Sequence, residues 1–166
     1  MRFWNSAAAA ALLTLGTISA ANAQAPVNPL LPTEGTREFE VRGTLQFDPV
    51  DYHQLSLGYG PFLNQNLQIK GSFEYTGGDA DDVYGLGAEA NYHFPSASAT
   101  LPYAGIFLGL AKADDEETFS YGIQAGVKHF LNPSTSFNAA LVYRDYDEEG
   151  VDNQVGINFG LAFYLR

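Results

Sequence analysis

The residues of this chain that could do chemistry fall into three sets, and cysteine is in none of them. Its absence excludes disulfides, thiolate nucleophiles, cysteine-bound metals and a lipoprotein anchor. The first set is His53, His93 and His129, possible bases or metal ligands. They are expected to be separate, interfacial side chains with no nucleophile beside any of them. The second set is the run Asp145-Tyr146-Asp147-Glu148-Glu149-Gly150, which places acids at alternate positions before a glycine. A calcium loop of the EF-hand kind needs a glutamate where this chain has Gly156, so the run is not one. Asp145, Asp147, Glu149 and Asp152 are left as candidate oxygen ligands for Mg²⁺ or Ca²⁺, against the plainer reading of a solvated, self-repelling surface. The third set is Glu38, Glu40, Arg42, Lys70, Glu74, Glu89, Lys128 and Arg144, most of them flanked by apolar neighbours. Lys and Arg total 8 against 19 Asp and Glu, and no phosphate-binding glycine loop or basic patch is present. Nucleotide cofactors and nucleic acid are disfavoured, and no cofactor is expected.

What positions these residues is a period of two. In Asn153 to Arg166, Val155, Ile157, Phe159, Leu161, Phe163 and Leu165 fall on one face of an extended segment, and Gln154, Gly156, Asn158, Gly160, Ala162 and Tyr164 on the other. From Thr36 onward the same alternation recurs. It predicts strands near Thr36–Phe47, Tyr52–Gly60, Gln65–Thr76, Asp82–Phe94, Leu101–Lys112, Thr118–Phe130 and Thr135–Tyr146 before the final one. In the fifth, the aliphatic Ile106, Leu108 and Leu110 are sent to the apolar face in preference to Tyr103 and Phe107. Eight segments of about ten residues, divided by turn signals, predict an all-β fold, an eight-stranded antiparallel up-and-down transmembrane β-barrel over residues 36–166.

The chain before it reads differently. Arg2, the apolar Ala7 to Leu15 and the small-x-small Ala21-Asn22-Ala23 are expected to form a secretory signal peptide, residues 1–23, cut before Gln24. Residues 24–35 carry Pro26, Pro29 and Pro32 without periodicity and are expected to be an extended periplasmic lead-in. No later segment offers the roughly 20 apolar residues that a transmembrane helix requires, so a membrane-spanning role must use strands.

Three patterns predict hydrocarbon outside. Aromatic residues fall at the ends of the apolar faces, with Phe39, Tyr59, Tyr92, Phe94, Phe137 and Phe163 low and Phe47, Tyr75, Tyr84, Tyr121 and Tyr143 high. Between them only Val, Leu, Ile, Ala and Gly are expected. The third set of charges falls on the inner face, four acids meeting four bases. Setting Thr76 opposite Val83 places Lys70 across from Glu89, which predicts an ion pair and a plugged lumen. Finally, the acidic residues crowd the upper connections, whereas Pro61–Asn64, Pro95–Thr100 and Leu131–Ser134 carry no charge.

The end of the last strand, with Asn158, Gly160, Phe163 and Leu165, resembles the C-terminal signal read by the assembly machinery of bacterial outer-membrane barrels, departing in Leu165 and the added Arg166. Stretches such as LPYAGIFLGLA and GIQAGVKHFLNPSTSFNAALVYRDY resemble the small outer-membrane barrels of the OmpA membrane-domain and OmpX type. The resemblance implies a Gram-negative outer membrane, with its lipid and lipopolysaccharide, periplasmic chaperones and barrel-assembly machinery as partners; the acidic residues add divalent cations as candidate further ones. The expected role is structural or surface-interacting, without catalysis. The alternatives are a narrow channel for small solutes or apolar molecules, which inward glycines would favour, and a lipid A-modifying enzyme. The deacylase type places a His-x-Ser pair where this chain has Arg144-Asp145-Tyr146.

Overall fold

The structure is a computed structural model, and it describes residues 28–46, 52–78, 82–113, 116–147 and 153–166. Eight strands follow one another: β1 (Arg37–Gln46), β2 (Tyr52–Pro61), β3 (Leu67–Gly78), β4 (Val83–His93), β5 (Thr100–Ala113), β6 (Glu116–Asn132), β7 (Thr135–Tyr146) and β8 (Gln154–Leu165). Each pairs antiparallel with its neighbours in the chain, and β1 pairs with β8, so the sheet is a closed barrel. Closure leaves no edge whose backbone N–H and C=O groups would have to be satisfied by lipid.

The alternation expected from the sequence decides which way each side chain points. Leu86, Ile123, Leu110 and Leu141 are 66%, 61%, 58% and 57% exposed on the outside, whereas Glu38, Gln68, Asn91 and Ser136 are fully buried inside. That inverts a soluble protein, whose surface rarely shows so continuous an apolar area. Ile106, Leu108 and Leu110 point out and Tyr103 and Phe107 point in, as the fifth strand was read. Thr76 faces Val83 and Lys70 faces Glu89 across β3 and β4. Strand ends differ by a residue or two: Gly77 and Gly78 still pair with His53 and Tyr52, because paired backbone continues where the side-chain pattern has stopped.

Two expectations need correction. The outer band is not purely aliphatic, since Phe73 pairs with Leu57 and Leu86, and Phe159 with Gly43 and Ala139, all away from the strand ends. The Phe159 ring lies 3.6 Å from where a Gly43 side chain would begin, so it covers surface that the glycine leaves open. The lead-in is not extended over its described part either. Residues 28–36 turn under the barrel, with Leu31 N–H donating to Asn28 O (3.0 Å) and Thr36 N–H to Thr33 O (3.1 Å), and Pro32 and Thr36 are buried there. Residues 1–27, with the expected signal peptide, and Phe47 of the upper aromatic ring lie outside the described residues.

Replacing Leu108 or Ile157 with Arg puts a charge on the outer face near mid-strand. Each is expected to cost about 2–4 kcal/mol, read from urea unfolding in lipid vesicles; unchanged midpoints would show that this face does not meet hydrocarbon.

Candidate functional site

The site that the strands build is the lumen, and it is stratified. The floor lies at the end carrying residues 28–36. Phe62, Leu101, Phe130, Ala162 and Tyr164 form a buried apolar cluster there, with Leu30 and Leu31 packed against it. The Phe62 ring lies 5.0 Å from that of His93, which lies 5.5 Å from Tyr103, and Phe130 lies 5.0 Å from Tyr164. Phe62 comes from the connection after β2 and folds inward, 1% exposed, by bridging to Gln68.

Above the floor sits a compact ion cluster. Lys70 reaches from β3 to three carboxylates: Glu40, Glu89 at 3.3 Å and Glu38 at 3.4 Å. Lys128 reaches from β6 to Glu38, its ammonium 5.5 Å above the Tyr103 ring and 5.8 Å above that of Phe62, so the cation joins the apolar floor to the charged layer. Arg42 bonds Glu89 at 2.5 Å and approaches Glu40 at 3.9 Å. Neutral amides take up remaining valences: Gln124 Nε2 donates to Glu89 (3.0 Å) and Asn91 (2.8 Å), and Asn138 Nδ2 donates to Glu40 (2.7 Å). Three acids and three bases thus neutralise one another in a space from which water is largely displaced.

A separate pair lies higher. Arg144 of β7 donates to Glu74 of β3 at 3.1 Å, and its guanidinium lies 5.1 Å from the Phe107 ring. This pair keeps side-chain exposures of 19% and 17%, against 6% or less for every member of the lower cluster. Between the two layers is a pocket lined by residues that include Arg42, Glu74, Glu89, Phe107, Gln124 and Arg144.

A sequence model described as the outer membrane protein beta-barrel domain matches residues 8–163. The chain belongs to that family. Among solved structures, this outer-membrane barrel is similar to the N-terminal β-barrel domain of Pseudomonas aeruginosa OprF, at 19% identity and TM-score 0.68, covering 81% of this chain and 100% of that one. It is also similar to Yersinia pestis Ail in a phospholipid bilayer nanodisc, at 17% identity and TM-score 0.54 over 80% and 100% of the two chains. A de novo designed transmembrane β-barrel matches at 12% identity and TM-score 0.61, over 81% and 99%. No curated protein sequence matches the chain. At such identities the likenesses concern the fold alone.

The remaining candidate residues separate. His93 is fully buried in the floor of this outer-membrane barrel, not interfacial, because its strand turns it inward beside Phe62; its Nδ1 lies 3.4 Å from Asn66 O. His129 points outward and does have a hydroxyl beside it, since Thr100 Oγ1 lies 2.9 Å from its Nδ1. That contact ties the two strands of the β5–β6 hairpin together on the barrel's exposed outer face. The His53 side chain, Glu149 and Asp152 lie outside what the structure describes. Tyr121 Oη donates to Asp145 Oδ2 at 3.1 Å, and no cluster of three or more metal-ligating residues occurs among the described residues. In the assembly-signal positions, Asn158 and Gly160 turn inward, with Thr44 Oγ1 donating to Asn158 Oδ1 at 2.7 Å, and Phe163 and Leu165 face out.

The sequence reading passed over Phe62, which sits in a turn where alternation lapses, and it sent Phe107 inward without giving it a place beside Arg144. It also left inward glycines as open space. A side chain on Gly122 would begin 2.5 Å from the Phe107 ring, and one on Gly105 would begin 2.0 Å from Asn91 Oδ1, so neighbours already occupy those gaps.

Lys70→Met strips three carboxylates of a shared cation and is expected to cost about 3–5 kcal/mol. Glu74→Gln, in the wetter upper pair, is expected to cost about 1–2 kcal/mol. Urea titration of both variants in vesicles checks this; equal losses would show that the two layers are equally dry.

Proposed function

We propose that this is an exported, non-catalytic barrel of a Gram-negative outer membrane whose lumen is closed and whose work is done by its membrane-embedded wall and its upper rim. Residues 1–23 serve as a cleaved signal peptide, and both ends of the barrel chain lie in the periplasm. Periplasmic chaperones deliver it to the barrel-assembly machinery, which reads Asn158, Gly160, Phe163 and Leu165.

The observation that carries this reading is the filled lumen. Glu38, Glu40, Arg42, Lys70, Glu89 and Lys128 span it in a neutral cluster above an aromatic floor, which suits a strut better than a conduit. The upper rim supplies the interaction. Acidic residues gather in the upper connections, and girdle tyrosines hold some of them at the level of the apolar band's edge: Tyr75 Oη donates to Asp82 Oδ1 at 2.9 Å, as Tyr121 does to Asp145. Asp145 at that height, with Asp147 and the acids that the sequence sets in the same connection, Glu149 and Asp152, would meet lipopolysaccharide phosphates through Mg²⁺ or Ca²⁺.

In planar bilayers the protein is expected to give no steady conductance, and its retention of lipopolysaccharide is expected to rise with Mg²⁺ and fall with a chelator. Steady conductance would replace this reading with a channel. Lipopolysaccharide binding that ignores Mg²⁺ would remove the cation bridge.

A further inference from the structure

We propose that residues 28–36 form a strap that seals the lower mouth of the barrel, that Arg166 fastens it, and that it can dock only once β1 and β8 have joined. The Arg166 guanidinium donates to three carbonyls that no strand pairs: Leu30 O (2.8 Å) and Pro29 O (3.1 Å) in the strap, and Pro133 O (3.2 Å) in the β6–β7 turn. A planar fork with five N–H donors suits three such acceptors around one point. At the strap's other end Gly35 N–H donates to Phe62 O (2.9 Å) and Phe62 N–H to Thr36 O (2.8 Å); at its start the Asn28 amide donates to Ser98 O (3.0 Å). Through these bonds one short segment is tied, directly or by way of Arg166, to all three lower connections of the barrel.

Its apolar seat is also composite. Leu30 and Leu31 rest on the cluster that Phe62 after β2, Leu101 of β5, Phe130 of β6, and Ala162 and Tyr164 of β8 form together. No two successive strands could provide that surface, and Arg166 stands one residue beyond β8 while the strap runs into β1. The seat and the clasp therefore exist together only in the closed barrel, so docking needs closure first. Pro29 and Pro32 restrict the undocked segment and so reduce what ordering it costs.

The chain has no cysteine, so a single Ala162→Cys, at a fully buried position under the strap, reports its opening through reaction with a water-soluble maleimide. The full-length Ala162→Cys protein in vesicles is expected to react slowly. Adding Arg166→Ala, or Leu30→Ser with Leu31→Ser, is expected to raise the rate at least about tenfold while circular dichroism and heat-modifiable gel migration stay those of a folded barrel. Arg166→Lys, which keeps the charge without the fork, should fall between. Equal rates in parent and variants on an intact barrel, whether all fast or all slow, would overturn the proposal. Should one variant not fold, the other carries the same comparison, and Leu101→Cys serves as a second reporter on the same seat.

Discussion

The rest of the structure depends on a lumen that must neutralise itself. Hydrocarbon outside the wall and a narrow interior leave polar groups few partners except one another, so every inward charge has to meet its opposite within the reach of a side chain. The chain meets this with bonds that cross the lumen: Lys70 of β3 to Glu38 and Glu40 of β1, Arg42 of β1 to Glu89 of β4, Lys128 of β6 to Glu38 of β1, and Arg144 of β7 to Glu74 of β3. Desolvation consumes much of the Coulombic gain. What the pairs add beyond their net energy is geometry, because a strut anchored at both ends fixes strands that the sheet itself does not join.

Stratification follows from the same constraint. At the lower end, where the wall's charges run out, aromatic rings fill the bore, and the Lys128 ammonium over two of them lets the charged and apolar layers touch without an exposed seam. At the upper end Glu74 and Arg144 keep some contact with solvent, and the bore is correspondingly less tightly filled. Two buried nitrogens, Gln68 Nε2 and His93 Nε2, have no hydrogen-bond partner among the described residues, and both lie at the junction of floor and ion cluster. With Nδ1 turned toward the Asn66 carbonyl, a proton on that nitrogen would meet an acceptor and leave Nε2 as an unmet acceptor, a smaller loss than an unmet donor would be.

The wall was legible in the sequence because its rule is local. Alternation of Phe39, Val41 and Gly43 with Glu38, Glu40 and Arg42 is visible within one strand, and a single hairpin sets Lys70 opposite Glu89. The choice of partner across the bore was not legible, since it depends on the stagger accumulated around all eight strands. Lys70 facing Glu89 could be read; Lys70 serving Glu38 and Glu40 as well could not. The same holds for the turns. Phe62 looks like any residue of an uncharged connection, and a proline-rich lead-in looks extended, until the closed barrel presents a cavity for the first and a seat for the second.

Function is less legible than fold for a related reason. The features that make this chain a barrel, its period of two, its neutral core and its aromatic borders, would serve any role, and a designed transmembrane barrel shares the fold. Role must then come from what the wall does not require. Here that is the asymmetry of charge between the two ends. The lower connections carry none and are covered by a strap that buries apolar surface, whereas the upper ones gather carboxylates that neither barrel closure nor lumen packing calls for. Mutual repulsion there opposes compaction, so a fold selected for stability alone would have no reason to collect them. On the function proposed above, their partner is a positively charged mediator at the membrane's outer edge, and Tyr75 and Tyr121, which each spend a hydroxyl on an aspartate, would set the height at which it is met.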